Sequence, residues 1–360
     1  MKRIACLFSL LLLLLLPACG EAGGPGEDAP PPEATQSPAP AEPTPEVTPG
    51  PAFYEPLTGL PCQQDVSGTR PVAIMLNNLK SALPQQGNSQ ADIIYEVLAE
   101  GGITRMLAVY QHPEQVGLIG SVRSARQYYW ELAQGHDAVY IHAGASPEFY
   151  ATKSRLGLFT VDGVNGPYSY AGAGMFWRDR NRVPGHHYDY EHSLLTSGEA
   201  VSAMLEKEGK AEHADGYQYE MLFADDGAPA DGQSAVTVTV PFSNYKTGVF
   251  RYDEATGLYA AEEYGEPYID GNDNSQIAVT NLLVLQAVCT VEDSAGRISV
   301  DLTSGSGWFA CGGKLVPITW KKGASDQQLR YYGGDGSPLA LGRGKSYVCI
   351  IPTSRTVTAE

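Results

Sequence analysis

The stretch SQADIIYEVLAEGGITRMLAVYQHPEQVGLIGSVRSAR at residues 89–126 carries the strongest secondary-structure signals of the chain. Ser89 is predicted to cap a helix, with Asp92 as the second half of a capping box. Apolar residues then recur at three- and four-residue spacing, which is typical of an amphipathic helix, and the double glycine at 101–102 is expected to end it. The segment therefore predicts a helix that packs on a core.

Two strands and a second helix are predicted to follow. Ile103–Tyr110 is β-branched and apolar, as a strand requires, and residues 116–119 indicate a shorter one. Ser121 or Ser124 can cap a helix that runs to about Gln134.

Arg123 and Arg126 fall at the start of that second helix, where the helix dipole disfavours a cation by about 0.3–1 kcal/mol. A bound phosphate or carboxylate would offset this cost, because helix N–H groups and guanidinium groups would meet on one anion. The alternative is ion pairing with carboxylates of the same chain, namely Asp92, Glu96 or Glu100.

The N-terminus has the pattern of an export signal. Two basic residues precede the apolar run 4–16, which is too short to span a membrane, and Leu16-Pro-Ala-Cys19 follows. This pattern resembles the lipobox of bacterial lipoproteins, which implies cleavage after residue 18 and an acyl anchor on Cys19. The protein would then be extracytoplasmic and held to the cell membrane through the lipid on Cys19; the alternative is a freely secreted protein.

Composition divides the rest of the chain into a stalk and two folded parts. Residues 19–52 are rich in Pro, Glu and Ala and cannot form a core, so they are predicted to be a disordered stalk. Amphipathic helices alternate with apolar strands over residues 53–215, which predicts an α/β domain. Residues 216–360 contain short β-rich segments separated by turns, which predicts a mainly antiparallel sheet or sandwich and an α+β protein overall. A further helix is predicted over residues 193–208.

Charge and cysteine content exclude several classes of protein. With 24 basic and 41 acidic residues, the net charge of −17 argues against nucleic-acid or anionic-membrane binding by the folded part. No C-x-x-C pair occurs, and neither a metal site nor a cofactor is predicted. One disulfide could form among Cys289, Cys311 and Cys349, but spacing does not select a pair.

Two further segments contain candidate site residues. His142 ends a predicted strand at 137–143, just before a helix that begins at Ser146-Pro147, and ligands bind at this edge of open α/β sheets. A structural histidine is the alternative. The other segment is FWRDRNRVPGHH at 176–187, an arginine-rich loop in an acidic protein whose residues could equally form internal salt bridges. Its candidate residues are Arg178, Asp179, Arg182 and His187.

Several stretches taken together carry a family resemblance. They are PLTGLP (56–61), RPVAIMLNN (70–78), QADIIYEVLAEGGITRMLAVYQ (90–111), GSVRSARQYYWELA (120–133), DAVYIHAGASPE (137–148), FWRDRNRVPGHH (176–187) and GRISVDLTSGSGWFACGGKLVPITWKK (296–322). They resemble the YerB-like family of bacterial lipoproteins, a family of unknown function. The resemblance implies an N-terminal domain, a β-rich C-terminal domain and a location at the cell surface.

Two functions are consistent with these residues. The first is a binding or assembly module for an anionic cell-envelope ligand or an acidic partner, contacted by Arg105, Arg123, Arg126, His142, Arg178, Asp179, Arg182 and His187. The alternative is an envelope enzyme acting on a phosphorylated or pyrophosphate-linked carrier, with Asp92 or His142 as the catalytic residue. Convergent arginines beside an acidic residue resemble the LytR-CpsA-Psr phosphotransferases, in which arginines hold a lipid pyrophosphate. No nucleophile motif accompanies them.

Overall fold

The computed structural model describes residues 52–172 and 174–360. The predicted export signal, nearly all of the predicted stalk and the predicted acylation site at Cys19 lie outside the described residues. Within the part that is described, no helix has the length and apolar character needed to cross a membrane.

Among its described residues, the N-terminal half contains ten strands and three α-helices. The strands are β1 (Phe53–Tyr54), β2 (Pro61–Cys62), β3 (Val72–Asn77), β4 (Ile93–Leu98), β5 (Thr104–Tyr110), β6 (Leu118–Gly120), β7 (Val139–His142), β8 (Thr160–Asp162), β9 (Trp177–Arg178) and β10 (Leu194–Ser197). The helices are α1 (Gln127–Gly135), α2 (Pro147–Leu156) and α3 (Gly198–Glu208). Short 3-10 turns cover Lys80–Ala82, Asn88–Gln90, Glu100–Gly102, Pro113–Gln115 and Tyr190–His192.

The C-terminal half contains sixteen strands among the described residues. They are β11 (Phe223–Ala224), β12 (Gln233–Ser234), β13 (Thr237–Pro241), β14 (Thr247–Asp253), β15 (Leu258–Glu263), β16 (Glu266–Pro267), β17 (Ala278–Val279), β18 (Asn281–Ala287), β19 (Cys289–Val291), β20 (Ile298–Val300), β21 (Ser304–Cys311), β22 (Lys314–Lys321), β23 (Arg330–Tyr332), β24 (Leu341–Gly342), β25 (Ser346–Pro352) and β26 (Thr358–Ala359). The predicted β-rich character is therefore confirmed.

One eleven-stranded sheet runs through both halves. Its order is β12-β22-β21-β18-β25-β4-β5-β3-β7-β8, with β23 beside β22. Strands β18, β25 and β4 are parallel to one another, as are β3, β7 and β8, and β5 is antiparallel to both of its neighbours. The predicted boundary near residue 215 therefore does not divide the sheet. The expectation of a mainly antiparallel C-terminal sheet was also incomplete, because β25 joins β4 and β18 in parallel.

The predicted helix over residues 89–100 is wrong, because this segment forms the central strand β4. Five of the six residues of β4 are buried, and its two faces contribute to different apolar clusters. A continuous apolar run that includes β-branched and aromatic residues favours such a strand, and it produces three- and four-residue spacings by chance. Ser89 caps no α-helix; its backbone N–H and hydroxyl both donate to Asp270 Oδ2 at 2.9 Å.

Apolar layers cover both faces of the large sheet. Helices α1 and α2 contribute Tyr129 and Phe149 to the core on one face. On the other face, the antiparallel six-stranded sheet β16-β15-β14-β13-β26, with β17 beside β15, contributes Phe250 and Tyr259, and helix α3 contributes Val201. The protein is thus mainly β, and parallel α/β character in the N-terminal half is limited to β3, β7 and β8.

Cap geometry explains where the helices begin. Ser146 accepts a hydrogen bond from the N–H of Phe149 at 3.2 Å, so the predicted start of α2 is confirmed. Neither predicted serine caps α1, because Arg126 occupies its N-cap position. The helix predicted from residue 193 begins only at Gly198, after Ser197, whose hydroxyl accepts from the N–H of Ala200 at 3.2 Å. The preceding residues form β10.

All four cysteines of the described residues are free thiols. Cys311 and Cys349 are buried, whereas Cys62 and Cys289 are partly exposed. No pairing among the three C-terminal cysteines is therefore formed.

A buried charge cluster joins β4 to the C-terminal half. Lys246 is 2% exposed; its Nζ lies 3.3 Å from Glu96 Oε1 and also contacts Glu263. Glu96 additionally accepts hydrogen bonds from Thr104 at 2.6 Å and from the Tyr347 hydroxyl at 2.7 Å. Burial lowers the pKa of Lys246, and the charge of Glu96 opposes this shift.

We expect Lys246→Met to destabilise the protein by about 3–5 kcal/mol, because it leaves two buried carboxylates without their cation. Urea denaturation followed by circular dichroism measures the change in the free energy of unfolding. The matched control is Arg251→Met. It removes an ion pair of 2.6 Å to Glu262, but the side chain of Arg251 is 56% exposed, so we expect little change in stability. Equal stability of the two variants would contradict a structural role for Lys246.

Candidate functional site

One edge of the large sheet collects most of the predicted site residues. The carboxyl ends of β3, β4, β7 and β8 point to this edge, as does the amino end of β5. Glu100 follows β4, Arg105 lies near the start of β5, and His142 ends β7. The segment 121–126 passes over the same edge, since the N–H of Arg123 donates to the carbonyl of Met75 at 2.9 Å. We call this region the arginine edge.

Glu100 holds two of the arginines. Arg126 Nε donates to Glu100 Oε1 at 2.7 Å, and Arg105 Nη2 lies 3.3 Å from Oε2. Burial alone would raise the pKa of Glu100, but the charges of Arg105 and Arg126 hold it below its usual value. The alternative of same-chain ion pairing, considered for Arg123 and Arg126, is met by Glu100 for Arg126; within the described residues Arg123 forms no such pair, and Glu96 and Asp92 lie elsewhere.

Arg123 and Arg178 come from distant parts of the sequence and meet at the 3-10 turn Tyr190–His192. Arg123 Nη1 donates to the Glu191 carbonyl at 2.8 Å, and Arg178 Nη1 donates to the Tyr190 carbonyl at 2.6 Å. The Nε atom of each arginine is buried without a hydrogen-bond partner in the described part of the chain. Burial, and then the charge of Arg105, lower the pKa of Arg123.

Two exposed tyrosines surround Arg178. Its guanidinium carbon lies 3.8 Å from the ring centroid of Tyr190 and 4.8 Å from that of Tyr170. Tyr190 is 56% exposed and Tyr170 is 42% exposed. Cation–π contacts of this kind stabilise the orientation of the arginine and leave aromatic surface available beside it.

Three other candidates from the arginine-rich loop do not join this edge. Arg182 is buried and donates to the backbone carbonyls of Ala82 and Pro84 at 2.7 and 2.9 Å, so it holds the chain together. Asp179 accepts from the N–H of Asn181 at 2.7 Å, and His187 is exposed with its Nδ1 2.8 Å from the side-chain oxygen of Asn181. Of the salt bridges considered for this loop, one forms, from Arg180 Nη2 to Asp189 Oδ1 at 3.9 Å, and within the described residues none involves Asp179.

His142 lies at the predicted strand end, but its side chain is fully buried. Its Nδ1 lies 2.9 Å from the Gly144 carbonyl, which requires a proton on Nδ1, and Nε2 accepts from the Thr160 hydroxyl at 3.0 Å. Burial lowers the pKa of His142 to about 4, against the charge of Asp162 3.9 Å away. The structural interpretation of this histidine therefore accounts for both ring nitrogens.

Asp92 lies at the opposite edge of the sheet from the arginines. Strand β4 separates Asp92 from Glu100, and six residues at 3.2–3.4 Å each span about 20 Å. An acid there cannot act on a group held by Arg123 or Arg126, so the enzyme hypothesis loses the acidic residue it proposed.

Sequence reasoning missed two contributors to the arginine edge. One is the Tyr190–His192 turn, whose backbone carbonyls carry no signal in the side-chain pattern. The other is His192, which is buried with Nδ1 2.9 Å from the Asn77 amide and Nε2 3.0 Å from the Ser81 hydroxyl. Tyr170 and Tyr190 could have been suspected from the tyrosines that flank the arginine-rich loop.

The arginine edge has the charge to hold an anion. Arg105, Arg123, Arg126 and Arg178 carry four positive charges, and Glu100 is the carboxylate that pairs with two of them. Within the described residues, no group of three or more His, Cys, Asp or Glu side chains could hold a metal ion.

The neutral state of His142 predicts a pH dependence of stability. The pKa falls from 6.5 in the unfolded chain to about 4 in the folded one, so its contribution is complete above pH 6.5 and is lost as pH falls towards 4. We expect the free energy of unfolding of both proteins to fall over this interval. That of the wild type should fall by about 3 kcal/mol more than that of the His142→Gln variant. Urea denaturation of both proteins at several pH values tests this; His136, whose pKa is also lowered to about 4, is common to both. Parallel stability curves would contradict it.

Comparisons with known proteins place the chain in a family. Residues 57–211 match the model described as protein of unknown function (DUF3048), N-terminal domain, and residues 238–348 match its C-terminal domain. A Bacillus subtilis (strain 168) protein named "Putative lipoprotein YerB" is 33% identical over 303 residues, which cover 82% of this chain and 86% of the relative.

A solved structure is also similar. The crystal structure of YerB from Bacillus subtilis has a TM-score of 0.73 and 28% identity, and the match covers 86% of this chain and 99% of that chain. The resemblance inferred from sequence motifs is confirmed by both comparisons. The chain therefore belongs to the DUF3048 family and contains its N-terminal and C-terminal domains in that order.

Proposed function

We propose that the protein is a membrane-anchored extracytoplasmic lipoprotein whose arginine edge binds an anionic ligand of the cell envelope. The ligand carries phosphate or carboxylate groups, and Arg123 and Arg178 are its main contacts. Arg105 and Arg126 lie behind them and add to the local positive charge.

One observation carries this proposal: within the described residues, Arg123 and Arg178 form no salt bridge in a chain with 41 acidic residues, although the charge of Glu191 acts on Arg123. Most arginines that serve only structure find a carboxylate or several carbonyls, as Arg182 does. In the described part of the chain, Arg123 and Arg178 instead each use one Nη for a carbonyl, and the unpaired Nε of each is buried. The second Nη of each guanidinium is left to make a charge-assisted hydrogen bond to a phosphate.

The surroundings support the same class of ligand. Tyr190 and Tyr170 expose aromatic surface beside Arg178, which can pack against the sugar or glycerol part of a phosphorylated polymer. A third tyrosine lies near Glu100. Tyr245 is 80% exposed and lies against Gly102, two residues after Glu100. Its hairpin is fixed by the Ser243 hydroxyl, which donates to the Gly102 carbonyl at 2.6 Å.

We expect Arg123→Ala and Arg178→Ala each to weaken binding of phosphorylated glycan fragments or pyrophosphate by roughly 10- to 100-fold, since each removes a charge-assisted contact of about 1.5–3 kcal/mol. Isothermal titration at low and physiological salt measures the affinity. Arg155→Ala on exposed helix α2 is the matched control and should leave affinity unchanged.

Glu100→Gln sharpens this experiment because it changes the affinity in the opposite direction. Glu100 neutralises part of the charge of Arg105 and Arg126, so its loss should strengthen anion binding. Absence of heat for every phosphate, or equal affinities for the wild type and all four variants, would refute the proposed site.

The anchor is proposed on separate grounds. The Leu16-Pro-Ala-Cys19 pattern and the name of the Bacillus subtilis relative both support acylation of Cys19. A single acyl chain binds a membrane only marginally, so stable anchoring requires more than one chain on this residue.

We expect Cys19→Ala to shift the protein from the membrane fraction to the soluble extracytoplasmic fraction of a bacterial host. Cell fractionation followed by immunoblotting measures the distribution. Cys62→Ala, which changes a partly exposed thiol of the folded part, is the control and should stay with the membrane. Retention of the Cys19→Ala protein on the membrane would contradict anchoring through Cys19.

A further inference from the structure

A polar cleft of about 260 Å³ opens at the sheet edge opposite the arginines. Its lining includes a carboxylate, an ammonium, an imidazole and two side-chain amides, from Asp92, Lys345, His112, Gln90 and Gln115. These residues come from both halves of the chain and are brought together by the pairing of β4 with β25. The cleft therefore exists only because the two halves share one sheet.

The Asp92 side chain is only partly exposed, and its carboxylate has few partners. In the described part of the chain, its one hydrogen bond comes from the N–H of Gln111 to Oδ2 at 2.7 Å. Burial raises the pKa of Asp92 to about 6; the charged groups that face it are Lys345 and His112, which oppose this shift, and Glu55, which adds to it.

His112 does not neutralise Asp92. Its Nε2 lies 3.1 Å from Glu55, and its Nδ1 lies 3.2 Å from Glu114, so both ring nitrogens are engaged with other carboxylates. Asp92 thus keeps oxygen surface directed to the cleft.

Lys345 supplies the opposite charge. Its Nζ donates to the Ser89 carbonyl, and burial lowers its pKa while Asp92, Asp270 and Asp273 oppose this shift. Lys345 and Asp92 influence each other electrostatically, yet among the described residues they are not joined in a direct ion pair. The cleft thus lies between the Asp92 carboxylate and the Lys345 ammonium, two opposite charges that do not form an ion pair with each other.

We propose that this cleft binds a small zwitterion of the α-amino acid type, with its ammonium at Asp92 and its carboxylate at Lys345. Gln90 and Gln115 also line the cleft and supply further polar groups. A ligand with both charges can pair with Asp92 and with Lys345 at once, whereas a simple cation pairs only with Asp92 and a simple anion only with Lys345. This site is separate from the arginine edge and does not depend on it.

Isothermal titration of the full-length chain in non-ionic detergent at pH 7.5 tests the proposal, with L-alanine and D-alanine as probes. Ethylamine and propionate serve as the two half-ligands. We expect at least one alanine enantiomer to bind tenfold or more tightly than either half-ligand. No binding of alanine, or equal binding of alanine and a half-ligand, would overturn the proposal.

Two charge-removing variants assign the contacts. Asp92→Asn and Lys345→Met should each weaken alanine binding by tenfold or more, whereas the exposed-site controls Asp231→Asn and Lys321→Met should not change it. Unchanged affinity in folded Asp92→Asn and Lys345→Met would also overturn the proposal.

The wild type alone provides a test that does not depend on the folding of a variant. Because the pKa of Asp92 is about 6, alanine affinity should fall several-fold from pH 7.5 to pH 5 as the carboxylate becomes protonated. Alanine itself keeps both charges over this interval. An affinity that stays constant or rises as pH falls would count against Asp92 as the ammonium contact.

Discussion

The parallel pairing of β25 with β4 is the constraint on which the rest of the structure depends. Five residue pairs join these strands, from Ser346 opposite Ile93 to Ile350 opposite Val97. A segment near the end of the sequence thereby becomes the neighbour of the segment that opens the N-terminal core. Parallel neighbours need long crossover connections, so this pairing ties the two family domains into one sheet that neither could complete alone.

The buried cluster around Lys246 follows from the same pairing. Glu96 points from β4 into a layer supplied by the C-terminal half, where Lys246 and Tyr347 meet it. A buried carboxylate is tolerated only with such partners, so the cluster selects one arrangement of the halves and disfavours others. The position of the hairpin that carries Tyr245, the residue before Lys246, is fixed by this contact.

Sequence patterns predicted strand β5 and the N-cap of α2, because those depend on neighbouring residues. Ile103–Tyr110 and the Ser146 cap are local signals, and the structure contains both. The strand β4 was not predicted, since an apolar run buried on both faces satisfies helix and strand spacing alike. Its identity is decided by β25, which lies about 250 residues further along the chain and leaves no trace in the local pattern.

The candidate site was predicted in the same partial way. Arg123 and Arg126 were singled out by their place at a predicted helix start and Arg178 by its arginine-rich loop, but the groups that hold them were not settled by the sequence. Glu100 was one of three carboxylates considered, and only the folded edge selects it for Arg126. The Tyr190 carbonyl that orients Arg178 is a backbone group, which no residue pattern could indicate. Asp92 was grouped with the arginines because it is near in sequence, although a strand carries it to the other edge.

The net charge of −17 does not conflict with anion binding at the arginine edge. At physiological ionic strength, charges separated by more than about 8 Å are largely screened, so a ligand at the edge responds mainly to the groups nearest to it. Those groups include four arginines, the paired Glu100 and the exposed Glu191, whose charge acts on Arg123. The acidic surface elsewhere instead lowers the local concentration of anions away from the edge, which disfavours non-specific binding. An acidic protein with a small basic surface can therefore be more selective for its anion than a uniformly basic one.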